Sequence, residues 1–189
     1  MRMHSRPKRA GVSSIAPIDA DAPNVVWAID FQFDSAVDGK AIKIASMIDE
    51  HTRESLLNIV ERSITAERLV TELEKRSTRQ VGRRRCCGWT TGQNWFRKRC
   101  NASARTSPAW SMSRRAVGQR LHQSFNNGLR KECLNRNHWT TLFEARVVVG
   151  DFKHEHNHRH RHSALGYRTP AEYATACRCT HTPMACEIN

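Results

Sequence analysis

Acidic residues, long apolar runs and paired cysteines are all scarce in this chain. Asp and Glu number 18 against 31 Lys and Arg, a formal net charge of +13. That imbalance points to a polyanionic partner, nucleic acid before a membrane surface. No apolar run approaches the ~18 residues a membrane span needs. The start, MRMHSRPKRAG, is basic, yet no apolar segment follows it, so it does not read as a secretory signal. A cytosolic location is the default expectation. The 7 cysteines are odd in number and form no CxxC pair. This excludes a zinc ribbon and a disulfide framework, and reduced thiols fit best.

What is present is enough for one domain with a tail. Val25 to Phe33, VVWAIDFQF, is an apolar, β-branched strand pattern with a single carboxylate, Asp30, in its middle. A strand buried on both faces is expected. A charge there is costly unless it is paired or holds a metal. The bland reading is an Asp satisfied by a neighbouring cation. A turn at Asp38-Gly39 leads into KAIKIASMID, and SLLNIVE follows at 55–61, so an antiparallel three-strand meander is expected. Ala66, Leu69, Val70 and Leu73 recur at helical spacing behind Thr65 as N-cap, predicting a helix to about Lys75.

From Arg76 to about His122 the pattern dissolves. The stretch is arginine-rich, carries Trp89, Trp95 and Trp110 with Cys86, Cys87 and Cys100, and contains no Asp or Glu. It has neither a 3.6 nor a 2.0 period, and scattered Trp and Cys do not suit a solvated basic arm. Order then returns. Phe125, Leu129 and Cys133 mark a helix face over about 124–135. Thr141 and Glu144 form a capping box for a helix presenting Leu142, Ala145, Val148, Val149 and Phe152. Thr169-Pro170 opens a short final helix, PAEYATA.

WAIDF at 27–31, SMIDEHTR at 46–53, SFNNGLRKECLN at 124–135 and HNHRHRHSALGYRTPAEY at 156–173 carry a family likeness. In these segments the chain resembles bacterial insertion-sequence transposases with a retroviral-integrase-type (DDE, RNase H-like) catalytic core. The match covers about residues 24–75 and 123–176. The resemblance implies an α/β fold: a mixed sheet beginning with the meander and flanked by helices. It implies residues 1–24 as a basic linker, 25–176 as the core and 177–189 as a tail. In that family two Asp and one Glu hold two Mg²⁺ ions, which clamp the attacking and leaving oxygens of a phosphoryl displacement on DNA. Carried over by position, the first Asp is Asp30, a catalytic and metal-binding residue. The Glu position, in an ESFN segment, is Gln123. Arg130, with Lys131 beside it, would contact DNA phosphates, a solvated face being the equal alternative. The implied partners are DNA and further copies or intact transposase. The helix-turn-helix region of full-length relatives has no counterpart here, so specific end recognition is not expected.

The second Asp should lie in a DNG segment inside the irregular stretch, and none is there. Degenerate codons suggest why. GWTTGQNWF at 88–96 is encoded as GGN TGG ACN ACN GGN CAR AAY TGG TTY. Joining the last base of each codon to the first two of the next forces Asp at the Trp89/Thr90 junction, whatever the codon choice. Leu and Val are forced at the next two Trp95 junctions, and the frame permits MDNGPELV. In the same frame, 110–116 permits VYVPPG. In the third frame, 116–122 permits PSANGYI, leading to the Glu position. A frameshift across about 76–122 is therefore expected, leaving that stretch out of frame and disordered and the meander with an uncovered edge.

Rival ligands carry little. Asp49, at a strand end before Glu50 and Arg53, reads as a turn or salt-bridge residue. The run His154, His156, His158, His160, His162 reads as a solvated basic loop before it reads as a metal site. Trp139 and Tyr167 read as packing residues. The expected protein is a transposase catalytic domain, inactive as written. The alternative is a non-catalytic basic DNA-binding protein that competes with intact transposase.

Overall fold

The computed structural model describes residues 20–78, 85–89, 110–113 and 119–180. Three strands open it: β1 (Val26–Ser35), β2 (Ala41–Asp49) and β3 (Ser55–Glu61). β1 pairs antiparallel with β2, and β2 with β3, so the expected meander forms. The β1–β2 turn uses Gly39 at φ +76°, a conformation that glycine adopts without Cβ strain. β4 (Arg85–Trp89) lies parallel to β1, and β5 (Trp110–Ser113) parallel to β4, giving the order β3-β2-β1-β4-β5.

Both short strands come from the stretch expected to be out of frame. The uncovered edge on β1 therefore does not occur, because β4 pairs along it. The remainder of 76–122, apart from the ends of the flanking helices, lies outside the described residues, as do 1–19 and 181–189.

β1 is buried on both faces because its two side-chain sets meet different layers. Trp27, Ile29 and Phe31 point toward helix α1 (Ala66–Thr78), packing with Met47, Leu69 and Leu73. Arg68 N donates to Thr65 Oγ1 at 3.2 Å, so the expected cap operates. The helix runs a turn beyond the expected Lys75.

The opposite layer holds α2 (Gln119–Gly128), a π-turn (Leu129–Cys133), a short 3₁₀ turn (Leu134–Arg136) and α3 (Leu142–His158). Phe125, Leu129, Cys133, Ala145, Val149 and Phe152 pack there against Ile42, Ile44 and Val60. Burying each large side chain stabilises the fold by roughly 1.5–3 kcal/mol. Trp139 is buried, and its Nε1 donates to Asp34 at 2.9 Å, so its packing role holds. Thr141 Oγ1 accepts from Glu144 N at 3.1 Å, while the Glu144 carboxylate reaches Thr140 N at 2.8 Å. The capping box thus closes one residue earlier than its simplest form. Helix α4 (Pro170–Thr180) starts at the proline as expected.

Two further expectations fail. The histidine run is not a loop throughout: His154, His156 and His158 belong to α3, where alternate residues cannot share a face. His156 is buried, and its Nε2–H donates to the Arg53 carbonyl at 3.1 Å. Burial pushes its imidazole down to about 4. Asn157 beside it clamps Ser55 through both backbone groups, at 2.8 and 3.0 Å. Tyr167 is 69% exposed at φ +60°, so it is a turn residue and does not pack. Among the described residues no helix is long and apolar enough to cross a membrane.

Candidate active site

Because β1 alternates, Ala28, Asp30 and Gln32 face the α2 layer while their neighbours face α1. Asp30 is buried and lies on the rung opposite Ser46. Its Oδ1 accepts from Phe31 N at 2.9 Å, and its Oδ2 accepts from Asn126 Nδ2 at 2.7 Å. Gln32 Nε2 donates to the Asn126 carbonyl at 2.9 Å. Two polar side chains of β1 therefore grip one residue of α2. This fixes the helix over the strand at the carboxylate.

Gln123 sits one turn before Asn126 on the same helix, at a spacing that puts both on one flank, and its side chain is exposed. Arg130 lies one turn after Asn126. Its Nη2 donates to the Phe33 carbonyl at 2.9 Å, so part of its donor set is committed to β1. Lys131, on the next flank, is exposed. The structure thus brings Asp30, Asn126 and Arg130 to one line of contact between β1 and α2, with Gln123 above it. The stretch just past β4, where the resemblance would put the second Asp and the sequence has none, lies outside the described residues. β4 ends at Trp89, opposite Ile29, one rung short of Asp30.

Asn126 and Gln32 are site residues that motif reading passed over. Gln32 had a visible signal, a second polar residue two places beyond Asp30 on an otherwise apolar strand. Asn126 closes the segment at 123–126 that the resemblance aligned, but nothing in the sequence signalled its bond to Asp30, 96 residues away.

Asp49 lies three rungs from Asp30, roughly 10 Å along the strands. Its carboxylate accepts from Asn24 N at 2.9 Å, Thr52 N at 3.0 Å and Thr52 Oγ1 at 2.7 Å. Burial raises its pKa, against the opposing pull of those bonds. It is a turn residue, as expected.

A pair of Mg²⁺ ions needs several anionic oxygens at one point. Both Asp30 oxygens already accept protein hydrogen bonds, and Gln123 offers a neutral oxygen. Among the described residues no group of three or more His, Cys, Asp or Glu converges as a metal site would require. The described residues do not by themselves supply the anionic set that a two-metal group needs.

A model of the integrase core domain family matches residues 106–170, beginning inside the irregular stretch. An uncharacterized 31.7 kDa protein of insertion element IS407 from Burkholderia multivorans is 28% identical over 169 residues, covering 84% of this chain and 58% of that protein. An uncharacterized 39.2 kDa protein of insertion element IS476 from Xanthomonas euvesicatoria is 28% identical over 177 residues, covering 88% and 49%. The chain thus spans about half the length of the curated relatives it matches. Among solved structures, the HTLV-2 integrase catalytic core in complex with magnesium aligns with a TM-score of 0.55 at 14% identity, over 81% of this chain and 97% of that one. A simian T-cell lymphotropic virus intasome chain aligns with a TM-score of 0.59 at 14% identity, over 89% and 58%. At such identity the structural likeness concerns the fold, which is RNase H-like.

Proposed function

We propose that this chain, an insertion-element transposase relative with an integrase-type core, is a DNA strand-transferase domain whose catalytic carboxylates are incomplete as written. One observation carries the reading. Asp30, in the middle of the central strand, meets the helix that bears Gln123 one turn above the contact. This is where the family resemblance puts a metal-binding Asp and Glu. In the family resembled, a bound metal pair would supply charge neutralisation at the attacking and leaving oxygens. This chain's own residues do less. Asp30 anchors α2, Gln123 stands at the Glu position without a charge, and Arg130 and Lys131 offer cations to a DNA backbone.

The register of β4 supports a frameshift as the cause. Trp89 is opposite Ile29, and the Trp89/Thr90 codon junction encodes Asp in the shifted frame. A restored carboxylate would then follow the end of β4, on the rung next in line with Asp30. Partners are DNA and further copies of an integrase-type core.

The test compares three proteins on a DNA end in Mg²⁺: the chain as written, its Gln123→Glu variant, and a frame-restored chain carrying Glu at 123. The expected result is nicking by the frame-restored chain and by neither of the others. Mg²⁺-dependent nicking by the chain as written, abolished by Asp30→Asn, would overturn the inactive reading. The net charge of +13 favours the second reading, a DNA-binding competitor without chemistry. It predicts DNA binding whose affinity falls steeply with salt while no strand is cut.

A further inference from the structure

Helix α3 and the turn after it sort the alternating histidines from His154 to His162 into two groups. His156 turns inward, where its Nε2 is engaged by the Arg53 carbonyl. The rings of His160 and His162 stand beside it, at 6.0 and 5.2 Å between centroids. His154 and His158 lie on the opposite side of the helix from His156. At roughly 100° per residue, they are about 40° apart around the axis and one turn apart along it. Both are exposed, and their ring centroids are 4.6 Å apart with the planes tilted by 37°. Among the described residues neither ring makes a hydrogen bond or an ion pair.

Two neutral imidazoles at this spacing are a bidentate chelate, the spacing at which helical histidine pairs bind zinc. A metal ~2.0–2.1 Å from one nitrogen of each ring needs the ring centres within roughly 5 Å, as they are. The scaffold beneath is fixed, because Phe152 packs inward and Asn157 grips both backbone groups of Ser55 at 2.8 and 3.0 Å. The electrostatics suit a cation. His158 is the last residue of α3, where the partial negative charge of a helix end favours positive ions. Asp151, exposed and one turn before His154 on the same side, adds a carboxylate. Arg159, the cation that follows His158, is paired with Glu155 at 3.3 Å.

We propose that His154 and His158 chelate one divalent transition-metal ion of the zinc class, with water completing its coordination sphere. Imidazole nitrogens suit zinc, copper and nickel, whereas Mg²⁺ takes hard oxygen ligands. The site is therefore independent of the carboxylate question at Asp30. With two protein ligands it is an open surface site, weaker than a closed four-ligand one. Its effect on the fold is local. A metal bridging residues 154 and 158 staples the last turn of α3, the turn whose inner side carries the His156 and Asn157 bonds to Arg53 and Ser55.

The test uses the full reduced chain and Zn²⁺ alone, with histidine ring resonances as readout, because thiols elsewhere in the chain also take zinc. The His154 and His158 signals should move together and saturate, and amide exchange over 155–159 should slow. Acidification should release the ion, since a ligating imidazole must be neutral. His158→Gln should keep the metal-free melting temperature, because the side chain is exposed. It should weaken the His154 response by about tenfold or more, at least the loss that outer-shell changes cost at metal sites. His154→Gln should do the same to His158. Signals that do not move with Zn²⁺ would overturn the proposal. So would a His154 response unchanged in His158→Gln, which would mean that each imidazole takes metal alone.

Discussion

Asp30 and Asp49 are buried carboxylates on adjacent strands, three rungs apart, and they are satisfied in opposite ways. Asp49 takes its hydrogen bonds from its own turn and from Asn24, whose chain runs into β1. Asp30 takes one from the next residue and one from Asn126, which reaches it across the layer from α2. The first carboxylate is part of how a hairpin closes. The second is a meeting point between a strand and a distant helix. Burial alone does not distinguish a structural acid from a functional one. The sequence range of its partners does.

The comparison can be broken most forcefully at Asp49. Asp49→Ala leaves buried donors of the turn unsatisfied and should cost about 3 kcal/mol of stability, read as a lower urea midpoint at unchanged slope. A loss below about 1 kcal/mol would mean that the turn does not depend on its carboxylate. Its neighbour Glu50 extends the test to pH. Burial raises Glu50 from 4.5 to about 7, so the fold favours its protonated form. The stability that this contributes is present below pH 4.5 and lost as pH rises through 7. Glu50→Gln should flatten that decline, by on the order of 1–2 kcal/mol once solvent screening is counted. Parallel urea midpoints for wild type and variant from pH 4 to 8 would refute it.

At Asp30 the effects should be smaller. Asn126→Ala removes one donor from the carboxylate but leaves the Gln32 bond to its own carbonyl intact, so roughly 1 kcal/mol is expected in thermal unfolding. Asp30→Asn should change stability by no more than about 0.5 kcal/mol. The Asn126 amide can turn over, because its Oδ1 is buried without a partner and would accept from the new amide. A loss of several kcal/mol there would make Asp30 as structural as Asp49.

Some of this was legible in the residues and some was not, for reasons that differ by element. Leu69 and Leu73 behind Thr65, and Glu144 three places after Thr141, are local patterns, and the chain folds as they dictate. Trp139 was legible as packing because a lone Trp before a helix seldom finds a better place. His156 misled, since the family resemblance puts the run of histidines in a loop, whereas helix α3 continues and buries one of them against Arg53. Tyr167 misled in the other direction, because its left-handed backbone belongs to a turn whose bonds to His162 no spacing discloses. β4 and β5 had no period to betray them. β4 lies beside β1 and β5 beside β4, where strands form through backbone hydrogen bonds that carry little side-chain signature.

Alternation, capping and helical periodicity by themselves determined the meander, the helices and the placement of Asp30 inside a two-sided strand. These depend on neighbours within a turn or a rung, which the order of residues states directly. Only the tertiary structure decided which helix residue holds that carboxylate, and that Asn157 clamps the backbone of Ser55. Each depends on side chains far apart in the chain, brought together by burying the apolar faces of α2 and α3 against the sheet.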